Sequence, residues 1–159
     1  HGSTWREAAA SVNSRGESIM YKKILVPVSM KHSGDRTHKA LAHAMGICDG
    51  EIVLLHITNP VPSLVGGAAR KELVDEETSA GRAALAPLLE KLDEAGIRHH
   101  TRIDFGVVAT VIVKVAHEEK VDLIVMFTDG RDGLEDMLFG SITERVLRET
   151  DIPLLVVRR

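Results

Sequence analysis

The chain has 159 residues and a formal net charge of −3, with 44% hydrophobic and 27% charged residues, a composition typical of one soluble globular domain. The slight negative charge, and the lack of basic runs interleaved with aromatic residues, exclude nucleic acid as an expected partner. The single cysteine, Cys48, excludes an internal disulfide and favours a reducing compartment, so we expect a cytoplasmic protein. No apolar run approaches the length of a membrane span, and we expect no membrane association.

Residues 1–19 differ from the rest of the chain in that they resemble a segment outside the natural domain. His1-Gly2-Ser3 resembles the remnant of an expression tag, and Met20 followed by Tyr21 resembles a natural start. We therefore predict a tag remnant or N-terminal extension over 1–19 and one domain over 20–159.

Short apolar runs alternate with helical stretches from residue 24 onward. Continuous apolar runs over 24–28 and 52–57 predict strands buried on both faces, and the apolar runs 121–126 and 153–157 predict two more strands. The alternating stretch 97–105 predicts a less buried strand. Apolar residues at helical spacing predict helices over about 40–48, 69–95, 108–119 and 141–149. We expect Cys48 on the core face of the first helix and a kink or break at Pro87 in the second.

This order of elements predicts an α/β fold. The expected architecture is a doubly wound, Rossmann-like parallel sheet of five strands, with helices on both faces and right-handed crossovers. Ligands of such sheets bind at the carboxyl ends of the strands, near the point where strand order reverses. Two strand ends are informative in this respect: Val28-Ser29 after the first strand, and the stretch 127–141 after the fourth.

The stretch after the fourth strand is rich in glycine. Gly130 and Gly133 can adopt positive φ and let backbone N–H groups approach an anion. Gly140 and Ser141 begin a helix, where free N–H groups and the helix dipole favour phosphate, and Thr143 adds a hydroxyl. The alternative is that the same residues form turns and helix caps without any ligand.

From Tyr21 to Arg158 the chain resembles the universal stress protein family. The motif of that family is Gly, two residues, Gly, nine residues, Gly and then Ser or Thr, placed after a strand ending in Met. Here the second motif glycine is Gly130, and Gly140-Ser141 follow after nine residues. Further matching blocks are Tyr21-Lys22-Lys23-Ile24-Leu25-Val26-Pro27-Val28, Leu54-Leu55-His56-Ile57, Asp122-Leu123-Ile124-Val125-Met126 and Pro153-Leu154-Leu155-Val156-Val157. The resemblance implies an adenine nucleotide alpha hydrolase-like fold.

Three positions depart from the pattern of nucleotide-binding members. Phe127 stands at the first motif glycine, Ser29 at the usual acidic residue, and Asp129 where many members have histidine. A phenyl ring at 127 would occupy ligand space or displace the backbone, and Asp129 would repel a triphosphate. We interpret Phe127 as filling the nucleotide pocket, with stacking on a base in another pose as the alternative, and Ser29 as a turn residue.

Two functional hypotheses follow from the resemblance. The first is a non-catalytic, homodimeric stress-response protein that binds a ligand or partner, with the apolar last strand, Leu154 to Arg158, pairing with a second copy. The alternative is a member that binds ATP or AMP and hydrolyses it slowly at most, because no residue stands out as a catalytic base.

The candidate site residues divide by expected role. The resemblance places Gly130, Gly140, Ser141 and Thr143 around the phosphates, and Pro27, Val28, Ile57 and Met126 around the base and ribose. The full candidate set is Pro27, Val28, Ser29, Ile57, Met126, Phe127, Gly130, Gly133, Gly140, Ser141, Ile142 and Thr143.

Other chemistries find little support in the sequence. His99 and His100 are neighbours in a predicted strand and point to opposite faces, so they cannot chelate a metal together, and we expect no metal site. A phosphoacceptor receiver domain would need an acidic cluster after the first strand. A dinucleotide oxidoreductase would need G-x-G-x-x-G there, and the chain has neither.

Overall fold

The computed structural model describes residues 20–28, 35–128 and 140–158, with the backbone alone described at 35 and 36. The predicted extension over 1–19 lies outside these ranges. So do the candidate site residues Ser29, Gly130 and Gly133, together with Asp129.

Within the described ranges, strands and helices alternate as predicted. In chain order they are β1 (Tyr21–Val28), α1 (Asp35–Ile47), β2 (Cys48–Thr58), α2 (Gly67–Glu94), β3 (Arg98–Phe105), α3 (Val108–Glu118), β4 (Leu123–Phe127), α4 (Ser141–Glu149) and β5 (Leu154–Val157). All strand pairs are parallel, and the sheet order is β3-β2-β1-β4-β5. The predicted doubly wound α/β architecture is confirmed.

The sheet separates two apolar cores. One lies under α1 and α2 and receives alternate strand residues such as Ile24, Val26 and Leu54. The other lies under α3 and α4 and receives the intervening residues such as Leu25, Val53 and Ile124. Because both faces of the central strands are covered, these strands read as uninterrupted apolar runs in the sequence.

The structure corrects the prediction for Cys48. This residue begins β2 and pairs with Tyr21, instead of lying on a helix. Asp49 and Gly50, which follow the predicted helix, are also inside the strand, where the ladder with β1 is irregular. A Cβ on Gly50 would lie 2.0 Å from the carbonyl oxygen of Lys22, so the close approach of β1 requires glycine there.

Pro87 does not interrupt α2. The helix runs without a break from Gly67 to Glu94, and Pro87 lies on its exposed side. The helix ends close to the predicted residue 95, and the following Gly96 has a φ of +66° and donates its N–H to the Asp93 carbonyl at 3.0 Å.

Candidate functional site

The strand order reverses between β1 and β4, and the ladder that joins these two strands is short. In the described residues it contains two register pairs, Ile24 with Leu123 and Leu25 with Ile124. The ladder between β1 and β2, by contrast, continues to Val28. The carboxyl-terminal parts of β1 and β4 therefore lie next to each other outside the ladder, at the topological switch point where α/β sheets bind ligands.

We call the boundary between β1 and β4 the seam. Asp122 lies at its amino end, opposite the untied carboxyl-terminal parts of the two strands. Its two carboxylate oxygens accept hydrogen bonds from the backbone N–H groups of Lys22 and Lys23, each at 2.9 Å. Its own N–H donates to the Lys23 carbonyl, also at 2.9 Å. Hydrogen bonds thus join the two strands at the amino end of the seam, whereas the described residues form no ladder between them at its carboxyl end.

The structure brings the predicted base-side residues to one edge of the sheet but not to one face. Pro27, Val28, Ile57 and Met126 all lie at or near the carboxyl ends of parallel strands. Val28 is buried in the core under α1 and α2, whereas Met126 and Ile57 pack into the core under α3 and α4. Pro27 is half-buried.

Phe127 is the last residue of β4 and belongs to the core under α1 and α2. Its half-buried ring packs against the apolar cluster on that face. Its strand position is fixed by pairing with Val157 in β5, and the next residue, Thr128, donates its N–H to the Val157 carbonyl at 2.9 Å. The position that corresponds to a motif glycine therefore carries a ring held by core packing.

The start of α4 has the geometry of an anion site. Gly140 is the N-cap, in extended conformation, and its carbonyl accepts the N–H of Glu144 at 3.0 Å. The N–H groups of Ser141, Ile142 and Thr143 have no acceptor inside the helix and lie at the positive end of its dipole. Ser141 and Ile142 are exposed, whereas the side chain of Thr143 is buried.

Thr128 was not among the predicted site residues, yet it connects β4 to α4. Its buried hydroxyl oxygen accepts a hydrogen bond from the Gly140 N–H at 3.2 Å. This contact takes one of the backbone donors that the sequence assigned to phosphate and fixes where the helix begins. The sequence does contain a signal for this role, because Thr128 is a small polar residue directly after a strand at the switch point.

The described parts of the chain offer little for other chemistries. Within them, no group of three or more histidine, cysteine or acidic side chains is arranged to hold a metal ion. None of the helices there is both long enough and apolar enough to cross a membrane.

Comparison with protein-family models identifies the family of this chain. The profile of the Universal stress protein family matches residues 20–158. The chain belongs to the universal stress protein family. Universal stress protein MJ0531 of Methanocaldococcus jannaschii is 36% identical over 158 residues, which cover 94% of this chain and 88% of the relative.

Solved structures of the family share the fold. The hypothetical protein MJ0577, also from Methanocaldococcus jannaschii, superposes with a TM-score of 0.70 at 29% identity, covering 89% of this chain and 98% of the other. A family protein from Arabidopsis thaliana, solved with AMP bound, gives a TM-score of 0.61 at 17% identity, over 87% of this chain and 92% of the other. At that identity the likeness concerns the fold alone.

Proposed function

We propose that this chain is a non-catalytic, cytoplasmic, homodimeric universal stress protein that acts by binding a ligand or partner, with its nucleotide site closed. The observation that carries the proposal is Phe127. Its ring replaces the hydrogen of a motif glycine at the end of β4 and is held in the core under α1 and α2. Since a nucleotide would have to share this strand end with the ring, ATP affinity is expected to be low.

A second function, binding of ATP or AMP with slow hydrolysis at most, is favoured by the start of α4. Gly140 and Ser141 present a helix N-terminus suited to phosphate. Related structures have been solved with AMP and with cAMP bound. In this arrangement Ser141 and the first-turn N–H groups hold the phosphates, and the ends of β1 and β2 contact the base and ribose.

Native mass spectrometry with Mg-ATP titration separates the two functions. We expect the wild-type protein to stay empty at millimolar ATP and Phe127→Gly to bind about one nucleotide per chain. Phe105→Gly is the matched control, because Phe105 is also a half-buried ring at the end of a strand, but on the sheet edge away from the seam.

The outcomes are distinct. Saturation of the wild-type protein at micromolar ATP would establish the second function and show that the ring does not close the site. If Phe127→Gly is folded by circular dichroism and remains empty, the ring is not what prevents binding.

The homodimer is proposed on the position of β5. This strand lies at the edge of the sheet, and its apolar residues Leu154, Leu155 and Val156 are only half-buried. An apolar edge strand that stays unpaired favours association, and β5 of one copy can pair with β5 of a second copy. Val156→Lys should reduce the mass measured in solution from that of a dimer to that of a monomer. Val107→Lys, at an exposed residue just before α3, should leave the mass unchanged. An unchanged mass for Val156→Lys rejects this interface.

A further inference from the structure

His56 is a buried titratable residue to which the proposed function gives no role. It lies near the carboxyl end of β2, and its side chain is 4% exposed. Its register neighbours are Val28 on β1 and Ile103 on β3, neither of which is titratable. Within the described parts of the chain its Nδ1 atom is buried without a hydrogen-bond partner.

The backbone of α2 crosses directly over this imidazole. A Cβ built on Gly81 would lie 2.6 Å from Cδ2 of His56 and 3.3 Å from its Nε2. Gly81 is also the first buried residue of α2, and Leu85, Leu88 and Leu92 continue the buried side of the helix. The ring therefore sets how closely the C-terminal half of α2 approaches the sheet.

The surroundings favour the neutral ring. Burial lowers the pKa of His56, while the Val28 backbone and the charge of Glu77, one turn before Gly81 on α2, oppose that shift. A protonated ring carries an N–H on both nitrogens, and Nδ1 forms no hydrogen bond with the described residues. A buried polar group without a partner is destabilising, and a buried charge more so.

We propose that His56 is an acid-sensitive latch, which packs under Gly81 as a neutral ring and releases the C-terminal half of α2 when it is protonated. The direction follows from linkage. Because the packed state holds the neutral ring, the opened state binds more protons below the ordinary histidine pKa of about 6.5. The latch is fully closed above that pH, and its stability falls as the pH decreases.

Amide hydrogen exchange measured by mass spectrometry tests the latch on the whole chain. Exchange of residues 81–94 is compared at pH 7.5 and pH 5.0, after correction for the intrinsic pH dependence of the chemistry. One linked proton increases the opening equilibrium at most tenfold per pH unit below about 6.5, so roughly thirtyfold is the upper limit at pH 5.0. We expect a several-fold increase in this segment that is absent in α3 and α4.

Three variants make the result specific. His56→Gln and His56→Leu should both remove the increase; the second retains apolar packing if the first does not fold. His43→Gln, at an exposed histidine on α1, should behave like the wild-type protein. Equal pH dependence in the wild-type protein and in a folded His56 variant overturns the proposal, as does a uniform increase over all helices.

Discussion

Replacing Gly81 with alanine should have two opposing effects on the free energy of unfolding. Gly81 lies inside a helix, where alanine is favoured over glycine by about 1 kcal/mol. The new methyl group, however, would lie 2.6 Å from Cδ2 of His56, and Ile103 Cδ1 at 3.3 Å confines it on another side. Ordinary carbon contacts are about 3.5–4.0 Å apart. Overpacking of this kind costs roughly 1–3 kcal/mol, so we expect Gly81→Ala to reduce the free energy of unfolding by about 1 kcal/mol.

Urea denaturation followed by circular dichroism measures this loss. Ala86→Gly, at an exposed position of the same helix, isolates the helix-propensity effect and should cost about 1 kcal/mol. In a His56→Ala background the clash is absent, so Gly81→Ala should there be stabilising, and the double-mutant cycle should show a coupling of about 1–3 kcal/mol. A Gly81→Ala protein that is more stable than wild type by about 1 kcal/mol would refute the contact between α2 and the imidazole.

Two further predictions concern the amino end of the sheet. Asp122→Asn should lower the free energy of unfolding by about 1–2 kcal/mol in urea, because an amide cannot accept both hydrogen bonds from Lys22 and Lys23; Asp75→Asn, which breaks an exposed ion pair with Lys71, should change it by less than about 0.5 kcal/mol. Lys120→Gly should raise the melting temperature and increase the free energy of unfolding by roughly 0.5–1 kcal/mol, because Lys120, which follows the Glu119 C-cap of α3, has a φ of +53°; a lower melting temperature would contradict that account.

The sequence was sufficient for the order of elements and for the coverage of the sheet. The central strands, whose two faces are buried, appear as uninterrupted apolar runs, and the structure shows both cores. The edge strand β5 is also apolar but only half-buried. The start of β2 was predicted wrongly because Cys48 also fits the helical apolar spacing of α1. Its state is decided by pairing with Tyr21, a contact distant in the chain that local periodicity does not contain.

The start of α4 was predictable from the sequence, but its hydrogen-bond connections to the rest of the chain were not. Gly140 and Ser141 lie where the sequence expected the helix to begin. The hydrogen bond from Gly140 to Thr128 spans 12 residues, and the clamp made by Asp122 spans about 100. Such contacts depend on the strand register, and a single sequence contains no pattern that specifies them. The burial of His56 under Gly81 is of the same kind.

The seam between β1 and β4 also determines how the molecule can open. Moving Val28 away from Phe127 breaks no ladder hydrogen bond between the two strands, whereas the same movement at Lys22 and Lys23 would break those made by Asp122. Separation of the two halves of the sheet is therefore a wedge-shaped motion, with its pivot at the amino edge and its widest displacement at the carboxyl edge. Each half would keep its own ladders intact in such a motion, so its cost arises from the apolar packing that spans both strands in the two cores.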